Sequence, residues 1–256
     1  MPSSKSHVVE TPGFKAGPPP KEAVEWLKGK GVKPAESWQA TWDREYRYAF
    51  YIARMTEKDL IKDVRDSLDD ALEQGVPFRE WAKDPMVRET FDKSGWADYN
   101  GQAEDSPSRL RTVFDTNCRT ARMAGQLERQ EQVRDLFPYA EFNLGPSKIH
   151  REEHIEWEGL VVRVAGAFFQ AHFTPLGFGC KCWWRFMTKA EADELGVATE
   201  PDFDYVEWEN DEGHKALAPE GVQPGFGENP LRAREGQLQK LEQEQAADAG
   251  TMRPNE

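Results

Sequence analysis

Residues 109–130 read RLRTVFDTNCRTARMAGQLERQ, and their pattern decides what kind of domain the chain builds. Leu110, Val113, Phe114, Ala121, Ala124 and Leu127 recur at three- and four-residue intervals, the period of one helix face. Ser106-Pro107 supplies an N-cap with proline at the first helical position, so a helix is predicted from 106 to about Asp135. Cys118 falls inside it as a small buried residue. Arg109, Arg111, Arg119, Arg122, Arg129 and Arg134 decorate it. They suit a phosphate or an acidic partner, or a solvated surface balanced by Asp115, Glu128, Glu131 and Asp135.

Towards the N-terminus the pattern is helical. Residues 1–20 end in three prolines and read as an extended lead-in. A helix is predicted over 22–28, stopped by Gly29 and Gly31. Another is predicted over 36–54, with Trp38, Trp42, Ala49, Phe50 and Ala53 as an aromatic stripe. A third runs from a capping box at Thr56 and Asp59 to a left-handed Gly75. It buries Leu60, Ile61, Val64, Leu68, Ala71 and Leu72, and turns Lys62, Asp63, Arg65, Asp66, Asp69 and Asp70 to water. A short helix over 77–91 follows, then a polar loop over 93–106.

Towards the C-terminus the period changes. Tyr139–Phe142 reads as a strand. The run after Gly159, LVVRVAGAFFQAHF, reads as two strands turned at Ala165-Gly166, and Cys180–Phe186 as a closing strand. Gly225-Phe226-Gly227 reads as a loop, a helix is expected near 231–247, and the last nine residues should be loose. The fold class is therefore α+β: a helical first half, then a long helix on a small, mostly antiparallel sheet closed by a Cys-x-Cys turn. The corresponding units are 1–20, 21–105, 106–190 and an acidic extension over 191–256.

The net charge of −13 is concentrated in that extension, which holds 17 acidic and 5 basic residues. Such a tail repels nucleic acid at long range and suits solubility or docking on a basic protein surface. No run approaches the ~20 apolar residues of a membrane helix, and no signal-peptide pattern opens the chain. Three cysteines argue against a disulfide framework and fit a reducing cytoplasm.

One constellation carries chemistry. His154, His172, Cys180 and Cys182 lie within 29 residues and offer the nitrogen and sulfur donors of a tetrahedral zinc site. Gly177 and Gly179 would let the backbone bend around an ion. The alternative is two small core cysteines on alternating strand positions. A rival reading is His150-Arg-Glu-Glu153-His154, an H-x-x-E-H pattern in which two histidines would hold zinc and Glu153 would activate water. That chemistry needs His150 and His154 on one helix face. Glu152, Glu153, Glu156 and Glu158 read as a wet surface. No phosphate-cradling loop or serine-nucleophile elbow is present in the sequence.

Several of these segments together resemble the phage Mu F-like minor head protein family. The helix motif Arg109 to Gln126 is similar to its central helix, and Arg151-x-x-His154 with Gly159 to a second element. His172-Phe-Thr-Pro175 through Cys180-Lys-Cys182 is similar to a third, with Thr174 and Lys181 departing from the family's proline and arginine. The likeness covers about residues 18–190. It implies a non-enzymatic head-morphogenesis protein of a tailed bacteriophage, acting near the portal in procapsid assembly and in genome packaging or ejection. Its partners would be portal or major capsid protein, with packaged DNA touched through Arg119 and Arg122. It would be found in the virion head, and in the host cytoplasm during assembly. It also implies a structural zinc held by His154, His172, Cys180 and Cys182. A zinc hydrolase using His150, Glu153 and His154, and a DNA-contacting internal head protein, are the alternatives.

Overall fold

Two buried clusters share one helix. The computed structural model of the 256-residue chain describes residues 20–32, 49, 50, 52, 55, 57–93, 107–209, 213, 215–226 and 229–232. In order the elements are α1 (Lys21–Lys28), β1 (Gly31–Val32), β2 (Ala49–Phe50), α2 (Lys58–Gln74), α3 (Phe78–Trp81), α4 (Pro85–Lys93) and α5 (Pro107–Gln132). There follow β3 (Tyr139–Asn143), α6 (Glu152–Glu156), β4 (Val161–Arg163), α7 (Ala167–Ala171), β5 (Trp183–Met187), α8 (Lys189–Leu195), β6 (Tyr205–Glu209) and β7 (Lys215–Pro219). The architecture is α+β.

The first cluster is helical. α1 contributes Ala23, Val24, Trp26 and Leu27, and α2 contributes Ile61, Val64, Leu68, Ala71 and Leu72. Leu110, Phe114, Cys118, Ala121 and Ala124 of α5 complete it. Gly125 explains how α1 and α5 approach: a Cβ there would meet the Ala23 backbone nitrogen at 2.5 Å. Only a residue without a side chain lets the two backbones come this close.

Local signals in this half are partly overridden. α2 ends at Gly75 with φ 69, as its sequence predicts. Its N-cap is Glu57 with no side-chain cap bond, and Thr56 lies outside the described residues, so the expected capping box is not the observed start. The helix expected over 77–91 is two, α3 and α4, because Pro85 suits a first turn and not an interior. Of the helix expected over 36–54, residues 33–48 lie outside the described residues. Its far end is the strand β2, parallel to β1, with Phe50 and Ile52 both buried at strand spacing. Asp69, expected on the wet face of α2, is 4% exposed, and its Oδ1 has no hydrogen-bond partner. The lead-in 1–19, most of the loop over 93–106 and the residues after 232 also lie outside the described residues.

The second cluster is built on a three-stranded antiparallel sheet in the order β4-β3-β5. β3 pairs Phe142 with Trp184 and Tyr139 with Met187 on β5, and Ala140 with Val162 on β4. Alternation divides the faces. Ala140, Phe142, Val162 and Trp184 join Met123 and Leu127 of α5, while Tyr139, Val161 and Met187 pack with Ala192 of α8. Glu141 and Arg185, opposite each other on the outer face, pair at 2.8 Å.

The second strand expected after Ala165-Gly166 is instead the helix α7. Its sequence, AFFQA, has strand-like aromatics, but Glu200 accepts the Phe168 N–H at 2.8 Å and so caps the helix from 32 residues away. That tertiary cap has no local sequence signal. Phe168, Phe169 and Phe173 then enter the core.

The chain after 190 is part of this second unit. Ala198 N–H donates to Val161 O at 3.0 Å, β6 and β7 form an antiparallel hairpin, and Val222 and Phe226 are buried with Trp184 and Phe142. The boundary expected at 190–191 therefore crosses a continuous packed region, and Phe226, in a loop as expected, is nevertheless a buried core residue.

Candidate metal centre

Three chain segments converge beside the inner face of the sheet. The loop after β3 passes over the Cys180–Cys182 segment at Gly145, where a Cβ would meet Lys181 O at 1.9 Å. A glycine is obligatory there because backbone lies directly against backbone. The second segment is α6, which begins at Glu152, is five residues long and turns His154 inward. The third is the Cys180–Cys182 segment itself, which precedes β5, with Gly179 at φ 73 and the Cys180 N–H bonded to Gly177 O at 3.2 Å.

The outcome is a buried group of His154, Cys180 and Cys182, whose ligand atoms all lie within 4.8 Å of one another. His154 Nδ1 is 3.6 Å from Cys182 Sγ. Donors bonded to one tetrahedral zinc at ordinary Zn–S and Zn–N lengths stand ~3.5–3.8 Å apart, so this pair already has the required separation. His154 Nε2 is 2.9 Å from Gly221 O. A carbonyl only accepts, so the proton is on Nε2 and the Nδ1 lone pair faces the sulfurs.

The environment of the sulfurs favours one thiolate. The Cys182 thiol donates to Cys180, and the Leu176 N–H also favours the charged form, so Cys180 is held well below the ordinary thiol range despite burial. Cys182, next to that charge and buried, is pushed up. Two arginines lie close by: Arg119 Nη1 is 3.4 Å from Lys181 O, and Arg151 Nη2 is 3.4 Å from Phe178 O. Cys118, by contrast, is pushed up to about 12 by burial, which keeps it a thiol.

His172 does not join the group. Its Nδ1 is 2.9 Å from Phe168 O and its Nε2 is 3.1 Å from Glu220 O, so neither nitrogen offers a free lone pair towards the sulfurs. The ring stacks on Phe168 at 4.1 Å and meets the edge of Trp157 at 4.9 Å, while Trp157 stacks on His154 at 5.5 Å. Burial lowers its pKa to about 4, so it is a neutral core residue that donates to one of these two carbonyls at a time, one tryptophan removed from the ligand group. The four-residue set expected from spacing is thus three residues in space.

The peptidase-like pattern is not assembled either. His150 precedes α6, and its Nε2 is engaged with Gly145 O at 2.9 Å, whereas His154 faces the cysteines. Two histidines that share no helix face cannot chelate as H-x-x-E-H requires. Of the predicted DNA-contacting pair, Arg122 is exposed and Arg119 is turned into the Cys180–Cys182 segment.

Sequence reading missed the residues that hold the imidazoles. Glu220 and Gly221 belong to a region whose acidity suggests solvent. The available signal was Val222 and Phe226, two large apolar residues in an otherwise polar stretch after a Pro219-Glu-Gly221 turn.

Comparison with known proteins gives a consistent picture. The family model "Phage Mu protein F like protein" matches residues 62–185, a span running from α2 to β5. The chain is 30% identical over 189 residues to "Putative capsid assembly protein F" of Escherichia phage Mu, which covers 70% of this chain and 43% of that protein. It is 28% identical over 154 residues to the Mu-like prophage FluMu F protein of Haemophilus influenzae, covering 57% of this chain and 36% of that one. The chain spans less than half the length of these relatives. No solved structure matches it.

Proposed function

The chain belongs to the phage Mu F-like family, and from that premise we propose that it is a non-catalytic bacteriophage head-morphogenesis protein whose second cluster is locked by a structural metal. The observation that carries the reading is the 189-residue likeness to a protein named for capsid assembly. The family match over residues 62–185 takes in parts of both buried clusters and the long helix that joins them. Protein–protein contact with portal or major capsid subunits, near the portal vertex and during procapsid assembly and genome packaging or ejection, is the role this supports. The place of action would be the virion head, reached from the host cytoplasm.

His154, Cys180 and Cys182 would hold the metal, with zinc best suited to one imidazole and two thiolates. Its contribution is mechanical. It joins α6 to the start of β5, two segments well separated along the chain. The burial of all three donors, at 2%, 6% and 1% exposure, favours such a lock over a site that admits substrate. Contact with packaged DNA would use Arg122, the exposed member of the predicted pair.

The test is complementation. A phage lacking this chain should make defective heads, rescued by the wild-type chain and equally by Glu153→Gln. Rescue by wild type but not by Glu153→Gln would replace this reading with hydrolysis. Normal heads without the chain would remove the assembly role. Elemental analysis of the purified protein should find about one zinc per chain, lost in the Cys180→Ser/Cys182→Ser variant.

A further inference from the structure

The segment from Glu220 to Phe226 lies beyond the span matched by the family model, yet it touches both buried histidines. Consecutive carbonyls do this: Glu220 O is 3.1 Å from His172 Nε2, and Gly221 O is 2.9 Å from His154 Nε2. Gly221 is at φ 70, and a Cβ there would strike the Trp157 ring at 2.5 Å and approach Glu153 Cβ at 3.1 Å. So the backbone lies directly on the histidine–tryptophan stack, and only glycine brings its carbonyl that near.

The segment is anchored on the cysteine side as well. Gln223 N–H donates to Leu176 O at 2.9 Å, and Gln223 Oε1 accepts from Phe178 N–H at 2.7 Å. Phe226 is buried and packs edge-on to Phe178 at 5.1 Å. The segment therefore bridges α6, which carries His154, and residues 176–178, which lead into Cys180.

We propose that residues 220–226 are the positioning element of the Cys/His site, holding His154 with its Nδ1 towards the two sulfurs, so that metal binding and the seating of this segment stabilise each other. This rests on the metal reading given above. The physical basis is reciprocal linkage. A carbonyl that fixes ring orientation and tautomer favours the bound metal, and the metal in turn favours the docked carbonyl. Loss of such an outer hydrogen bond typically weakens metal binding ~10–100-fold.

The test uses the full chain and zinc ion. Hydrogen exchange of residues 215–226 should slow when zinc is added to the wild-type protein, while α2 is unchanged. Competition titration with a chromophoric chelator should find zinc binding at least ~10-fold weaker in Gly221→Ala and weakened in Gln223→Ala. Nitrogen-15 spectra of the metal-free protein should show the His154 proton on Nε2 in wild type and a tautomer mixture in Gly221→Ala. Wild-type protein that binds zinc with unaltered exchange at 215–226 overturns the coupling alone, and so does undiminished affinity in both variants. Wild-type protein that binds no zinc overturns the metal reading and the coupling with it.

Discussion

The two clusters on either end of α5 hold together by different means. The helical one is an aliphatic and aromatic core closed by helix packing, with Ile61, Val64, Leu68 and Phe50 fully or almost fully buried. The sheet-based one is aromatic and polar at once: Trp184, Phe142 and Phe168 pack around two histidines whose nitrogens meet backbone carbonyls. The first stores its information in periodicity, which is local. The second stores it in contacts such as those of His154, to residues 28 and 67 positions away, which is why it has room for a metal and a long-range strap. Asp69 in the first and His172 in the second are both buried, and the two respond to pH in opposite directions.

The largest expected effect is on the second cluster alone. Trp184 is fully buried, meets Phe142 edge-to-face at 5.1 Å and a tilted Phe169 at 5.0 Å, and donates its indole N–H to His172 O at 3.1 Å. Trp184→Ala should cost ~3–5 kcal/mol in denaturant titration. Hydrogen exchange should rise in β3–β5 well before α2. Equal loss in both clusters would mean that α5 fuses them into one cooperative unit.

Zinc at ~100 times its dissociation constant should add ~2.7 kcal/mol, again to the second cluster, and nothing in the Cys180→Ser/Cys182→Ser variant. A thermal shift in that variant would assign the effect to another site. Gly125→Ala probes the opposite end. The new methyl must push α1 off α5, at a cost of ~1–3 kcal/mol, with the zinc response retained.

The smallest effects are those of pH, and they sharpen the contrast most directly. Burial raises Asp69 to about 7, with Arg65 opposing, so the folded form keeps a proton that the unfolded chain releases near ~4. This contribution is present at low pH and is lost as pH rises through 7. Asp69→Asn should therefore raise Tm at pH 8 more than at pH 5. Burial lowers His172 to about 4 from 6.5, so its contribution is present above 6.5 and is lost as pH falls towards 4. Exchange in metal-free protein should accelerate in the second cluster on acidification while that around α2 does not. Parallel pH profiles for both clusters would refute the assignment of either group.

What could be read without coordinates follows from range. Helices α1, α2 and α5, the left-handed Gly75 and the strand β3 are legible because a 3.6- or 2-residue period and a terminal glycine are properties of neighbours in the chain. The donor types of the candidate site were legible too, since soft nitrogen and sulfur side chains in one short stretch point to one kind of ion. Tertiary structure alone decided that AFFQA is a helix, because its cap is Glu200. It alone decided that His154 and not His172 faces the sulfurs, because Phe168 and Glu220 carbonyls occupy the second ring. And it alone drew an acidic segment into the core, since the burial of Val222 and Phe226 and the fit of Gly221 against Trp157 depend on surfaces that exist only once the sheet has formed.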